Sequence, residues 1–134
     1  MSQEDVPKVD VVRDAEGVTV FTVAPGVRPE DLIQALSAFM RDAPTQRVLW
    51  DLRQSSISQF TDDDRLWMVS QLSKFSGAER AGGRSAFVVA HDVDFGVMRM
   101  LITYAELGGY AVSLQVFRDV DVARAWLRGR TAAT

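Results

Sequence analysis

Residues 85–127 read SAFVVAHDVDFGVMRMLITYAELGGYAVSLQVFRDVDVARAWL. A short apolar run comes first, followed by acidic residues and a long apolar segment that stops at Gly108-Gly109. A second run of β-forming residues follows at 110–117, where apolar and polar residues alternate and predict a strand nearer an edge of the sheet. Asp119 then precedes a last helical segment. Short apolar runs predict strands, whereas an acidic start and a glycine stop predict helices. The stretch therefore predicts strand, helix, strand, helix, which is the order of an α/β protein.

The residues before Ser85 extend this alternation. Valine-rich runs flank Gly17 and predict a hairpin, because glycine adopts the positive φ of a tight turn. One apolar stripe predicts a helix at about 29–42, and an apolar run predicts a buried strand at 47–52. Thr61 with three following aspartates predicts the start of another helix, which we expect to run to about Phe75. Its apolar residues share one predicted face: Leu66, Met68, Val69, Leu72 and Phe75. We therefore expect an α/β fold with a mixed sheet of about five strands and about four helices.

Length and composition fit one domain. The chain has 134 residues, of which 47% are hydrophobic and 25% charged. We expect a disordered N-terminus at 1–8, a single α/β domain at 9–128 and a loose tail at 129–134. The formal net charge of -3 argues against nucleic-acid binding. The polar start and the lack of a long apolar run predict a cytoplasmic protein with no membrane span.

The chain contains no Cys and only one His, His91. The missing Cys excludes disulfides, thiol catalysis and Cys-ligated zinc. The single His excludes any site that needs two or three imidazoles. We therefore predict no metal and no cofactor.

Three motifs in the second half of the chain resemble one family. They are FGxxRM at 95–100, AE at 105–106 and VFRDxDxAxxWL at 116–127. Together they resemble the SpoIIAA-like (STAS/CRAL-TRIO-like) bacterial proteins, with a similarity that covers 18–127. The resemblance implies a right-handed β/α superhelix with a mixed sheet. It implies no activity, because most members of this branch have none assigned.

The same resemblance directs attention to two serines. Anti-sigma-factor antagonists of this type carry a phosphorylatable Ser in an Asp-Ser-Ser-Gly-like turn after a central strand. The corresponding region here is 51–58, in which Ser55 and Ser56 are adjacent. No Asp directly precedes them and no Gly follows. Ser55 and Ser56 are therefore weak phosphosite candidates, and we favour the alternative that they only solvate a loop.

Polar residues follow the predicted parallel strands, where ligands of α/β sheets commonly bind. This candidate polar cluster consists of Asp51, His91, Asp92, Arg118 and Asp119. His91 beside a carboxylate would be able to act as a general base. The alternative is that Asp92 and Asp119 cap the helices that follow them, with Asp94 as a second candidate for the first of these caps. We favour capping, because it explains both aspartates completely.

The predicted helix at 94–107 is apolar around about two-thirds of its circumference. A helix on one sheet face needs a narrower stripe, and the excess falls on four residues: Val97, Met100, Tyr104 and Leu107. Trp67 also lies off the apolar face of its own helix. These side chains form a protein interface, line the wall of an apolar pocket, or are covered by neighbouring elements.

Three functions follow from these alternatives. The first is a non-catalytic, SpoIIAA/STAS-like interaction module that forms a homodimer or binds another protein. The second is a carrier of an apolar small molecule or lipid, which is what the CRAL-TRIO side of the resemblance implies. The third is a small enzyme that uses His91 with Asp51 or Asp92. We place the interaction module first.

Overall fold

Five strands and four helices alternate along residues 8–75 and 78–129, the part of the chain that the computed structural model describes. The strands are β1 (Val9–Arg13), β2 (Val18–Val23), β3 (Arg47–Asp51), β4 (Arg84–Val88) and β5 (Ser113–Phe117). The helices are α1 (Pro29–Arg41), α2 (Asp62–Leu72), α3 (Asp92–Leu107) and α4 (Val120–Leu127). Two short 3₁₀ turns cover Ile57–Gln59 and Ala78–Arg80. The predicted α/β class and the numbers of strands and helices are confirmed.

The strands form one mixed sheet in the order β1-β2-β3-β4-β5. β1 and β2 form the predicted antiparallel hairpin, with Gly17 at φ +82°, and the other neighbours pair in parallel. Connections between parallel strands are right-handed. Because β2 to β5 follow one another across the sheet in chain order, the helices that connect them all lie on one face. The core contacts agree, because α1, α2 and α3 pack together on one side of the sheet.

A row of aromatic side chains crosses the sheet beneath these helices. Phe21, Trp50 and Phe87 are partners in adjacent strands. The rings of Phe21 and Trp50 stack with their centroids 4.0 Å apart, and those of Trp50 and Phe87 are 6.4 Å apart. Phe39 from α1 meets Phe21 edge-on at 5.4 Å. Such aromatic pairs add to the stabilisation from burial alone, so this row anchors the helical layer.

α4 covers the opposite face. Its Ala123 and Leu127 pack on Leu49, Ala86 and Val88. The β3 strand is therefore covered on both sides, as its continuous apolar run predicts. Asp119 caps α4 by accepting hydrogen bonds from two backbone N–H groups of the first turn.

Ion pairs fasten α4 to the loop of the N-terminal hairpin. Arg124 pairs with Asp14 at 2.9 Å and with Glu16 at 3.5 Å, and Arg128 pairs with Glu16 at 3.2 Å. The two partners of each pair are more than a hundred residues apart in sequence. These contacts join the two ends of the described chain.

Two helix predictions need correction. The predicted extension of α2 to about Phe75 is wrong, because the helix ends at Leu72. Leu66 does not share the buried face of Met68, since 65% of its surface is exposed. The predicted Thr61 cap is present, because Thr61 Oγ1 accepts a hydrogen bond from Asp64 N.

The predictions for the chain ends lie largely outside the described residues, which begin at residue 8 and end at residue 129. Lys8, which we expected to be disordered, extends the hairpin because its carbonyl oxygen accepts a hydrogen bond from Ala24 N. Within the described ranges, no helix has the length and apolar character needed to cross a bilayer.

Gly83 and Gly96 provide a matched test of the fold. A Cβ atom on Gly83 would lie 2.4 Å from Gln46 O and 2.9 Å from Arg80 O, whereas one on Gly96 would meet nothing within 4 Å. We expect Gly83→Ala to lower the free energy of unfolding by about 1–3 kcal/mol through steric strain. Gly96→Ala should raise it by up to about 1 kcal/mol, because Gly96 lies inside α3. Urea denaturation of both variants measures the difference, and equal midpoints would contradict the close approach at Gly83.

Candidate functional site

A cavity of about 510 Å³ lies between the three-helix layer and the sheet. Protein interiors are close-packed and contain few voids larger than a water molecule, whereas small-molecule sites measure about 300–1,000 Å³. Most of the lining is apolar and comes from α1, α2, α3, β3, β4 and β5. The apolar lining side chains are Leu32, Ile33, Leu36, Phe39, Val48, Trp50, Leu52, Ile57, Met68, Val69, Leu72, Phe75, Phe87, Met98, Leu101, Ile102, Ala105 and Leu114.

One face of α3 forms a wall of this cavity. On α3, Met98, Leu101, Ile102 and Ala105 follow one another at i, i+3, i+4 and i+7, which is a single helix face. α2 contributes a further row of apolar side chains and packs mainly against α1 and α3. The cavity therefore lies under α2, in space that a helix packed directly on the sheet would fill.

The buried and half-buried polar side chains of the cavity lie near the amino ends of β4 and β5. They are Arg80, Ser85 and Tyr110. Only 2% of the Arg80 surface is exposed, and its guanidinium carbon lies 5.6 Å from the centroid of the Phe39 ring. A charged residue is rarely buried to this degree, so this end of the cavity differs sharply from the apolar remainder.

Arg80 is held by hydrogen bonds to neutral acceptors. Its Nε donates to Thr45 O at 2.7 Å, and its Nη2 donates to Ser85 Oγ at 3.0 Å and to Gln46 O at 3.2 Å. Burial lowers the pKa of Arg80, and the neighbouring Tyr110 opposes this shift. Burial also raises the pKa of Tyr110. Because arginine stays protonated in proteins, the cavity contains a positive charge beside a neutral phenol.

The entrance lies where the C-terminal ends of α2 and α3 approach each other. Four of the lining residues are exposed to solvent, namely Ser73, Tyr104, Gly108 and Gly109. Ser73 follows α2, and the other three end α3. Together they form the rim of the cavity.

The four residues of the excess apolar arc of α3 differ in how far they are buried. Val97 is partly buried and packs against the core. Met100, Tyr104 and Leu107 are exposed, Leu107 by 80%. Tyr104 also lines the cavity, whereas Val97, Met100 and Leu107 do not. Of the four, Tyr104 alone therefore combines a place in the cavity wall with an exposed position.

Trp67 is exposed on α2 next to Leu66 and does not line the cavity. The neighbouring residues Met68 and Val69 line it instead. Trp67 therefore belongs to the outer surface of the helical layer.

The candidate polar cluster at the strand ends separates into independent contacts. Arg118 pairs with Asp92, Asp51 accepts hydrogen bonds from Arg53, and Asp119 caps α4. The predicted cap at Asp92 is wrong, because the residue before α3 is His91, which makes no side-chain capping bond. Within 8–75 and 78–129 the imidazole of His91 has no hydrogen bond or ion pair. The geometry therefore shows no pairing of His91 with a carboxylate.

The two phosphosite candidates occupy the loop before α2. Ser55 is buried, with 6% of its surface exposed, and its hydroxyl donates to Leu52 O at 3.2 Å. Ser56 is partly buried and shares a hydrogen bond of 3.0 Å with Ser58. A kinase would need this loop to open before it could reach Ser55.

Asp94 fixes the same loop to α3. Its Oδ1 accepts a hydrogen bond from Ser58 N at 2.9 Å. The sequence also allowed Asp94 to cap α3, but the carboxylate is buried and bonds to the loop instead. Its Oδ2 has no hydrogen-bond partner among the described residues.

Sequence reasoning missed Arg80, Ser85 and Tyr110. Ser85 and Tyr110 begin predicted strands, and Arg80 lies between two predicted elements. None of the three belongs to a motif that marks a buried polar group. One local signal was available, because Gly82-Gly83 lies two residues after Arg80 and allows the 3₁₀ turn to pack closely on the start of β3. That signal predicts a close approach of backbone and not the burial of a cation.

Comparison of the chain with protein-family models, with curated proteins and with solved structures finds no match. The SpoIIAA-like resemblance therefore stays a prediction. In the part of the chain that the structure describes, no three His, Cys, Asp or Glu side chains are grouped so as to hold a metal ion.

The Asp51–Arg53 pair yields a titration test. Hydrogen bonds from Arg53 hold the pKa of Asp51 below its ordinary value. This depressed pKa stabilises the fold above the ordinary carboxyl pKa, and the stabilisation is lost as the pH falls through the folded-state value. We expect Arg53→Gln to raise the pKa of Asp51, as followed by NMR of its carboxyl carbon.

Arg118→Gln is the matched control for this titration, because Arg118 pairs with Asp92 and not with Asp51. The pKa of Asp51 should be the same in this variant as in the wild type. A wild-type Asp51 with an ordinary pKa would contradict the ion pair.

Proposed function

We propose that the protein binds an apolar small molecule in the cavity between its helical layer and its sheet. The observation that supports this proposal is the 510 Å³ volume with a mostly apolar lining. It favours the carrier over the interaction module that the sequence placed first.

The physical chemistry of the lining supports an apolar occupant. Water gains few hydrogen bonds in an apolar cavity, since an ordered water needs two to four polar partners. An apolar ligand instead removes its own surface and that of the cavity wall from water. Ligand binding should therefore stabilise the fold by mass action.

The arrangement of α2 supplies a route into the cavity. α2 packs mainly against α1 and α3, and Met68 is its only buried residue. Displacing α2 therefore disrupts less burial than displacing α1, which buries three residues in the core. Since the rim lies at the C-terminal end of α2, we expect a ligand to enter between α2 and α3.

We propose self-association as a second function, in line with the interaction module. Met100, Tyr104 and Leu107 are all exposed and lie at i, i+4 and i+7 on α3. This spacing places the three side chains on one stripe of the helix. Apolar stripes of this kind suit an interface, in which Met and aromatic residues are enriched. A cytoplasmic location completes this proposal.

Filling the cavity should abolish ligand binding. We expect Ala105→Trp, on the cavity wall, to weaken the binding of the uncharged probe N-phenylnaphthylamine by about tenfold or more, the equivalent of about 1.4 kcal/mol. The larger side chain would occupy the space that the probe needs. Fluorescence titration of the purified protein measures the affinity.

Thr103→Trp is the matched control for the cavity. Thr103 lies on α3, is exposed and does not line the cavity. It should leave probe affinity unchanged. A wild-type protein that binds no uncharged apolar probe would refute the carrier, whatever the variants do.

The dimer makes a separate prediction. We expect light scattering at micromolar concentration to give twice the monomer mass, and Leu107→Glu or Met100→Glu to give the monomer. A charge buried at an interface without a partner opposes association. Neither residue lines the cavity, so probe binding should be retained in both variants.

Val122→Glu is the control for surface charge, because Val122 is exposed on α4, on the other side of the sheet. This variant should remain dimeric. A wild-type protein that is monomeric under these conditions would rule out the dimer.

A further inference from the structure

We propose that the ligand is an apolar monocarboxylic acid whose carboxylate binds Arg80 at the polar end of the cavity. This inference rests on the proposed carrier function, and it specifies the chemistry of the ligand.

The first argument is the missing countercharge of Arg80. Within 8–75 and 78–129, no carboxylate oxygen lies within 4 Å of its nitrogen atoms. The acceptors of its hydrogen bonds are three backbone carbonyl oxygens and the hydroxyl oxygens of Ser85 and Tyr110, all of them neutral. Buried charges are normally paired. A ligand anion would supply the charge that the described residues do not.

The second argument is the availability of donors toward the cavity. The hydrogen bonds of Arg80 to carbonyls and to Ser85 use Nε and Nη2, and Nη1 makes none of them. Tyr110 lies beside the guanidinium, and its hydroxyl group is able to donate a hydrogen bond. A carboxylate accepts several such bonds, and charge-assisted hydrogen bonds from arginine are among the stronger ones in proteins.

The third argument is the separation of polar and apolar walls. Arg80 contacts both Ser85 and Tyr110, and most of the other lining side chains are aliphatic or aromatic. Only a ligand with one charged end and an apolar body matches both parts. The single cation matches a monoanion better than a phosphate dianion, whose second charge would remain uncompensated.

The experiment compares an acid with the alcohol of the same chain length. Isothermal titration calorimetry of the full-length protein at pH 8 measures decanoate and decanol separately. We expect decanoate to bind about tenfold to a hundredfold more tightly, the range expected for a charge-assisted hydrogen bond. Naphthoate in a parallel titration distinguishes an aromatic acid from an aliphatic one.

Variants then assign the preference to Arg80. Arg80→Met should remove the preference for decanoate and leave the affinity for decanol. Arg99→Met is the control, because Arg99 is exposed on α3 and carries the same charge outside the cavity. If Arg80→Met does not fold, Tyr110→Phe takes its place and should weaken decanoate binding several-fold with decanol unchanged.

The outcomes separate the two proposals. If neither decanoate nor decanol binds, the carrier function itself fails. If both bind equally, the carrier stands and Arg80 only fastens the 3₁₀ turn to the sheet. A decanoate preference that survives Arg80→Met, or Tyr110→Phe where that variant replaces it, would overturn the role of this polar end.

Discussion

The direction of the parallel crossovers is the constraint on which the structure depends. β2 to β5 follow one another across the sheet without reversal, so right-handed connections put α1, α2 and α3 on the same face. α1 contacts β1 at one edge of the sheet and α3 contacts β5 at the other edge, whereas α2 packs mainly on these two helices. The cavity is the space beneath α2, and the connectivity of the chain therefore determines where it lies. α4 has to cover the other face alone.

The sequence predicted this framework well, because its signals are local. Gly17 identified the hairpin turn, the apolar run of β3 identified a strand covered on both faces, and Thr61 and Asp119 identified helix caps. The alternation at 110–117 correctly placed β5 near an edge of the sheet. Each of these features depends on residues a few positions apart, which a pattern in the sequence records directly.

The candidate site could not be predicted in the same way, because its parts are brought together by tertiary packing. Arg80 lies near Ser85 in sequence, but its contacts with Tyr110 and with the Thr45 carbonyl oxygen join distant parts of the chain. The width of the apolar arc on α3 did indicate an unusual helix, but the side chains of the arc lie in two different environments. Met98 and Ile102 face the cavity, while Met100 and Leu107 face solvent. Periodicity shows how much of a helix is apolar and does not show what lies opposite.

The pairing of α4 with the N-terminal hairpin has a consequence for folding during synthesis. α4 is the last helix of the described chain, and it covers Leu49, Ala86 and Val88 in the middle of the sheet. Its ion pairs with Asp14 and Glu16 join residues from the start and the end of the described chain. While the ribosome still holds α4, the sheet already formed exposes an apolar face to other nascent chains and to chaperones. Docking of α4, and not completion of the sheet, is therefore the step that covers this apolar face.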